Sequence, residues 1–255
     1  MNADIYKKKE VRDNFNELTL KCKGNYRIVF RAYNEGIAYR FESDIKGDII
    51  VENELSEFNF LHDAKAYIPY VRDNVATLES QFGNPFENIY KYENISQWDT
   101  SRIAFLPLLV EGRNGKKLCI LEADLLNYPG MYLYNGDGSN TLKSVFAPYP
   151  KEVEQGGYLN LQGLVKSREP YIAKVSGVTS FPWRIMVVSE NDKELADNDM
   201  VFKLATRPQG DFSWVKPGKA AWEWWHAWNL LGVDFKTGIN NETYKCYIDF
   251  ASRYG

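Results

Sequence analysis

Tyr26-Arg27-Ile28-Val29-Phe30-Arg31-Ala32-Tyr33-Asn34-Glu35-Gly36-Ile37-Ala38-Tyr39-Arg40-Phe41 is the stretch on which the fold class turns. Tyr26, Ile28, Phe30 and Ala32 alternate with Arg27, Val29 and Arg31. After Asn34-Glu35-Gly36, Ile37, Tyr39 and Phe41 alternate again. A period of two sends successive side chains to opposite faces of a strand, so this stretch predicts a hairpin with one buried face. Downstream, the apolar run 103–110 is broken by Pro107. The turn Arg113-Asn114-Gly115 then leads into 118–121. That reads as a second hairpin, with Asn-Gly supplying the positive φ angles of a tight turn. Further strand-like pieces lie at 131–134, 158–165, 171–175 and 183–188, and 192–196 suits one helical turn. Short strands separated by turn signals, with few helical patterns, predict an antiparallel sandwich.

The bulk composition narrows the function classes. The chain has 255 residues, 44% of them hydrophobic, enough for one large core, or for one domain and part of another. A net charge of −3 without long basic or acidic runs argues against nucleic acid or an anionic membrane as partner. Aromatic residues reach 15%, with 17 Tyr and 7 Trp. Such side chains suit surfaces that are apolar on one side and wet on the other, as in sugar-binding clefts. Thick sandwich cores use them too, so composition leaves both readings open. Cys22, Cys119 and Cys246 fit neither a zinc spacing nor a disulfide framework. Cys119, in an apolar run, reads as a small core residue. No segment approaches the roughly 18 apolar residues of a membrane span. Met1-Asn2-Ala3-Asp4 does not read as a signal peptide; a protein whose leader had been removed would read the same, so the compartment stays open.

The pattern changes after about residue 212. Ala220-Ala221-Trp222-Glu223-Trp224-Trp225 is a bulky, strand-like run, followed by a long loop over 226–239. Asn240-Asn241-Glu242 then offers an N-cap and an acid for the positive helix end. Tyr244, Tyr247, Ile248, Ala251 and Tyr254 recur at three- and four-residue spacing, and Gly255 suits the C-cap. Strand, loop and amphipathic helix form one unit of a parallel βα fold. One such unit cannot bury its own face, so the sequence is expected to be a fragment, with the last 40 or so residues poorly protected on their own.

Several of these words resemble glycoside hydrolase family 97. The segment Val215-Lys216-Pro217-Gly218-Lys219-Ala220-Ala221-Trp222-Glu223-Trp224-Trp225 resembles the entry to that family's barrel. Gly232-Val233-Asp234-Phe235-Lys236-Thr237-Gly238-Ile239-Asn240 and Tyr247-Ile248-Asp249-Phe250-Ala251 resemble its continuation. Upstream, Leu121-Glu122-Ala123-Asp124-Leu125-Leu126-Asn127-Tyr128-Pro129-Gly130-Met131 and Phe181-Pro182-Trp183-Arg184 fit the same family. The likeness runs from about residue 20 onward and is greatest to the branch that retains anomeric configuration and acts on α-galactosides. It implies a mainly β fold: an antiparallel β-super-sandwich over 1–212, followed by the first βα unit of a catalytic (β/α)8 barrel over 213–255. It implies an exo-acting, calcium-dependent enzyme on α-linked oligosaccharides, α-galactosides or else α-glucosides. It also implies that the rest of the barrel and a small C-terminal sandwich complete it, and that the location is periplasmic or secreted. The position matching the family's calcium-binding glutamate of the sandwich is Glu122. The catalytic acid and the nucleophile or base belong to barrel strands beyond residue 255, so no catalytic residue is assigned here.

The residues themselves are compatible with these roles and with plainer ones. Cleaving a glycosidic bond takes two carboxyl groups astride it, and no pair in this chain can be placed so. Glu122 ends an apolar strand, where a carboxylate is either solvated or aimed at a ligand. Calcium takes oxygen ligands, carboxylates among them, and in a sugar site it polarises a departing oxygen or holds a hydroxyl. Asp124, two residues on, is a second candidate for the same side. Trp225, His226 and Trp228 fall at the C-terminal end of the expected strand, where such barrels build their sites. They are the substrate-binding candidates, the Trp faces stacking on the C–H face of a pyranose. Packing in the barrel or a domain seam is the other reading and is preferred for Trp222, and a hydrogen-bonded structural residue is the other reading of His226. Asp234, with Lys236 on the long loop, is a candidate for sugar hydroxyls. Arg184 reads as half of a buried interdomain ion pair, and Trp98-Asp99 as surface structure. Gly136-Asp137-Gly138-Ser139 is a turn without the context of a phosphate loop, and no Ser or Cys nucleophile motif occurs. A non-catalytic carbohydrate-binding sandwich and an interaction scaffold remain as alternatives to the enzyme.

Overall fold

A computed structural model describes residues 7–72, 77–84, 86–216 and 222–254, apart from the side chain of His226. It divides into two compact units, Glu10–Thr206 and, as the second, residues 7–9 with those from Arg207 onward. The first unit carries the strands β1 (Asn16–Cys22), β2 (Tyr26–Tyr33), β3 (Gly36–Ser43), β4 (Asp48–Val51), β5 (Glu57–Asn59), β6 (Lys65–Ile68), β7 (Lys91–Asn94) and β8 (Leu108–Glu111). It continues with β9 (Lys117–Ala123), β10 (Met131–Tyr134), β11 (Thr141–Phe146), β12 (Pro150–Gly156), β13 (Gln162–Arg168), β14 (Ala173–Ser176), β15 (Thr179–Ser180) and β16 (Trp183–Ser189). Three short helices join them: α1 (Leu78–Gln81), α2 (Asp192–Ala196) and α3 (Met200–Leu204).

All described strand pairs are antiparallel. The large sheet runs β1-β2-β3-β16-β9-β8-β6-β7, with β15 also against β3; β10-β11-β5 forms a second sheet, and β12-β13 and β14-β4 are two-stranded. Ile68, Leu108 and Ile120 of the large sheet pack against Leu133, Leu142 and Phe146 of the three-stranded one. This is the sandwich core, and each such side chain contributes about 1.5–3 kcal/mol on burial. The other face of the large sheet buries Trp183, Ile185 and Val187 under Met200 and Leu204 of α3.

The hairpin forms as expected. Tyr33 pairs with Gly36 across the turn. Gly36 has φ +152°, and a Cβ there would lie 2.3 Å from the carbonyl oxygen of Met186. Only glycine allows β16 to approach so closely. The buried face, however, is the one bearing Val29, Tyr33 and Ala38, while Tyr26 and Phe30 stay 42% and 37% exposed. α3 and Trp183 lie on the arginine-bearing side. Its guanidinium groups tolerate this because they are paired or stacked: Arg27 with Glu42 at 2.7 Å, and Arg40 over the Trp183 ring at 4.4 Å. The second hairpin joins β8 and β9, with Asn114 at φ 58° and Gly115 at φ +79°.

Several expectations need correction. Trp98 is core, not surface: it is 3% exposed, donates its indole N–H to Arg102 O at 2.9 Å, and meets Tyr70 edge-on at 5.1 Å. Residues 158–160 form a tight 3-10 turn, and the strand starts only at Gln162. In the second unit, Trp222–Trp225 is not a strand. Glu223–His226 is a 3-10 turn, closed by Ala227 and Trp228 at φ 54° and 56°. A strand needs a neighbour for its ladder, and among the described residues none pairs with this segment, so local bonds such as Trp225 N–H to Trp222 O win. The expected helix is present as α4 (Asn241–Tyr254). Asn240 Oδ1 caps it by accepting the Thr243 N–H at 2.9 Å. On its apolar face Ile248 and Tyr254 are 65% and 60% exposed. The expected βα unit is thus reduced to its helix, and no barrel strand is present among the described residues.

Candidate functional site

Glu122, next to last in β9, sits directly across from Arg184 in β16. Arg184 Nη1 donates to Glu122 Oε2 at 2.6 Å, and Nε and Nη2 donate to Glu54 Oε1 and Oε2, each at 2.7 Å. The second pair is the bidentate geometry in which guanidinium and carboxylate bind most firmly. Ser56 and Tyr128 hydroxyls donate to Glu54 at 3.1 and 2.9 Å, and Tyr39 donates to Ser56 at 2.8 Å. The Met131 N–H points at both oxygens of Glu122, at 3.1 and 3.0 Å. The Arg184, Glu54 and Glu122 side chains are only 1%, 7% and 12% exposed. Two carboxylates therefore share one buried guanidinium. Burial pushes Glu122 up to about 7 against the pull of Arg184 and the Met131 N–H. At Arg184 burial pulls the other way but is outweighed by the carboxylates, so its pKa is raised. Arg184 is an ion-pair residue as expected, but not an interdomain one. Its partners come from β9 and from the loop before β5, so the cluster ties the two layers of the sandwich together.

Glu122 has one oxygen left to offer a cation. Oε2 is taken by Arg184, while Oε1, against Gly130, accepts only the Met131 N–H. Asp124 does not join it: φ 65° turns it out of the strand, and its oxygens accept the Thr206 N–H and hydroxyl at 2.7 and 2.6 Å. Among the described residues no three His, Cys, Asp or Glu side chains cluster to hold a metal. Calcium takes six to eight oxygens, so Glu122 fits as one donor to such an ion and the described residues do not complete a site.

In the second unit the tryptophans gather by local winding. Trp222 lies 5.2 Å from Trp224 and 5.6 Å from Trp225, ring centre to ring centre. Trp225 is 74% exposed. Trp224, Trp225, Ala227 and Asn229 line a shallow hollow of about 560 Å³. Trp228 is half-buried, and its buried indole N–H has no hydrogen-bond partner among the described residues. Asp234 is exposed and outside the hollow's lining. His226 ends the 3-10 turn, but its side chain lies outside the described residues. Trp225 thus lies beside Trp222 and in the hollow's lining with Trp224, while Trp228 and Asp234 are not part of that lining.

Sequence reading missed Glu54 and a groove. Glu54 stands in the polar run Glu52-Asn53-Glu54-Leu55, where nothing local marks it as buried. The groove, of about 870 Å³, is lined by the 124 and 126–129 loop, 147–150 and parts of 172–180. Two non-glycine residues of that loop, Asp124 and Asn127, have φ 65° and 55°. Only Pro129-Gly130 hinted at a turn there.

Residues 1–207 match the family described as glycosyl-hydrolase 97 N-terminal. The chain is 50% identical, over 99% of its length, to a protein of Bacteroides thetaiotaomicron named retaining alpha-galactosidase, and spans 38% of that relative. Among solved structures it is similar to a glycoside hydrolase family 97 enzyme from Pseudoalteromonas sp. strain K8 in complex with acarbose. The TM-score is 0.73 at 24% identity, covering 100% of this chain and 36% of that one. A β-arabinopyranosidase crystal structure matches with a TM-score of 0.65 at 18% identity, over 94% of this chain and 36% of that one. At those identities the two structures support the fold alone.

Proposed function

Because the chain belongs to glycosyl-hydrolase family 97 through its N-terminal domain, we propose that it is the front part of a retaining exo-α-galactosidase. The observation that carries this reading is the 50% identity to the retaining alpha-galactosidase across nearly the whole chain. On this reading the sandwich is a rigid support. The acid and nucleophile of the reaction come from the remainder of the enzyme. Trp225, 74% exposed, supplies a stacking surface for a sugar ring. Calcium is the finer part of the proposal. Glu122 Oε1 would give one oxygen to an ion completed by other parts of the enzyme, which would supply charge to hold a sugar hydroxyl or a departing oxygen. A periplasmic or secreted location is proposed on the family likeness alone.

The test is hydrolysis by the complete enzyme of p-nitrophenyl α-galactoside against the α-glucoside, with the anomer of the first-formed sugar read by proton NMR. α-Galactose as first product, with preference for the galactoside, supports the proposal. An inverted product or preference for glucoside overturns it. Calcium titration of the same enzyme and its Glu122→Gln variant tests the metal; equal affinity in both removes Glu122 as a donor.

A further inference from the structure

We propose that the β12–β13 hairpin is a docking arm whose apolar tip seats on the remainder of the enzyme polypeptide. β12 and β13 pair with each other only. Such a two-stranded ribbon is marginal in water without support. With seven residues in each strand it reaches about 23 Å at roughly 3.3 Å per residue. Its base is fixed: Arg168 donates to Pro148 O and pairs with Glu79, each at 2.6 Å. Its stem carries polar pairs, Lys166 against Glu154 at 2.9 Å and Ser167 donating to Glu152 at 2.8 Å, beside Val153 and Leu164, which are 58% and 38% exposed.

The tip is more exposed and more apolar than the stem. Tyr158, Leu159 and Leu161 are 78%, 71% and 77% exposed. Leu159 and Asn160 have φ 52° and 60°. A bulky L side chain avoids that region, and such a conformation is kept only where surroundings enforce it. The described hydrogen bonds at the tip are all internal to the hairpin: Asn160 N–H to Gly157 O, Leu161 N–H to Tyr158 O, and Gln155 Nε2 to Asn160 O. One Tyr and two Leu presented together on a rigid turn form an anchor for a contact surface.

The length of chain outside this structure decides the occupant. The matched relative is covered over only 38% of its length, so most of such an enzyme lies outside this structure. A surface tethered in the same polypeptide meets the tip at an effective concentration that a separate partner cannot match. This inference rests on the reading above that the chain is part of a longer hydrolase.

Hydrogen exchange on the intact full-length enzyme tests it, read at residues 158–162 and at two protein concentrations. The expected result is exchange slower than the unstructured rate by about 10-fold or more, equal at both concentrations. The Tyr158→Ser/Leu161→Ser double variant should lose that protection and melt lower. Unprotected amides in wild-type enzyme that still turns over substrate would overturn the arm while leaving the hydrolase reading intact. Protection only at the higher concentration would assign the tip to a second copy and overturn it as well. A protected tip in an enzyme inactive on α-galactosides would keep the arm and sink the substrate assignment.

Discussion

Replacing Arg184 with Met is expected to be the most damaging single change in the sandwich at neutral pH. Arg184 is 1% exposed and makes three charge-assisted bonds of 2.6–2.7 Å to two carboxylates that are themselves nearly buried. Each such bond contributes roughly 1.5–3 kcal/mol. Removing the cation also leaves Glu54 and Glu122 as uncompensated buried charges, which other proteins show to cost about 3–5 kcal/mol in total once the site relaxes or protonates. For a domain of this size 1 kcal/mol moves the midpoint by about 2–4 °C, so the R184M variant should melt about 10 °C lower at pH 8. The assay is thermal unfolding of wild type and variant followed by circular dichroism at pH 8 and pH 5. At pH 5 the loss should shrink, because Glu122, already pushed up to about 7 by burial, takes up a proton and one buried charge disappears. Adding Glu54→Gln and Glu122→Gln should recover part of the loss at pH 8, since no charge then remains buried. A variant that melts within about 2 °C of wild type at pH 8 would refute the view that this cluster ties the two layers together.

Other outcomes follow from single features. Glu42 is buried, yet Arg40 and Arg27 outweigh that burial and hold its pKa below the ordinary carboxylate value. Its contribution is thus present above the ordinary value and lost as pH falls through the depressed one, so E42Q should flatten the acid limb of the stability–pH curve. An unchanged acid limb would contradict that. Gly36→Ala should cost about 1–3 kcal/mol, measured by urea unfolding, because the added methyl meets the backbone of β16 at an unfavourable φ. Asn240→Ala should weaken α4 by about 1 kcal/mol, seen as faster amide exchange at Thr243. Trp225→Ala in the full-length enzyme should raise KM more than it lowers kcat if the exposed ring only stacks on substrate.

Local chemistry made much of the sandwich legible. The Asn114-Gly115 turn, the strand at 131–134 and the alternation through 26–41 are written in nearest-neighbour preferences: left-handed φ for Asn-Gly, period two for a strand. The Asn240 cap and the spacing of Tyr244 and Tyr247 likewise marked α4 without reference to the rest of the chain. Which face of the first hairpin is buried was another matter. Ile28 and Phe30 are the more apolar set, yet Val29 and Tyr33 go inside, because α3 and Trp183 arrive from distant sequence to cover that side and give the arginines partners. Trp222–Trp225 has the composition of a strand, but a strand exists only by virtue of the neighbour it bonds. Without one among the described residues, the segment winds on itself.

The site divides along the same line. Glu122 could be singled out by its family-like surroundings and its place at a strand end. That it faces Arg184, with Glu54 brought from 68 positions upstream, depends on β9 lying beside β16 and on the loop before β5 reaching Arg184. The sequence alone therefore determined most of the local elements and named Trp225 and, through the family likeness, Glu122 as candidates. Tertiary structure alone decided which charges share a low-dielectric interior. Pairing energies there depend on separations of a few ångströms that no local pattern encodes.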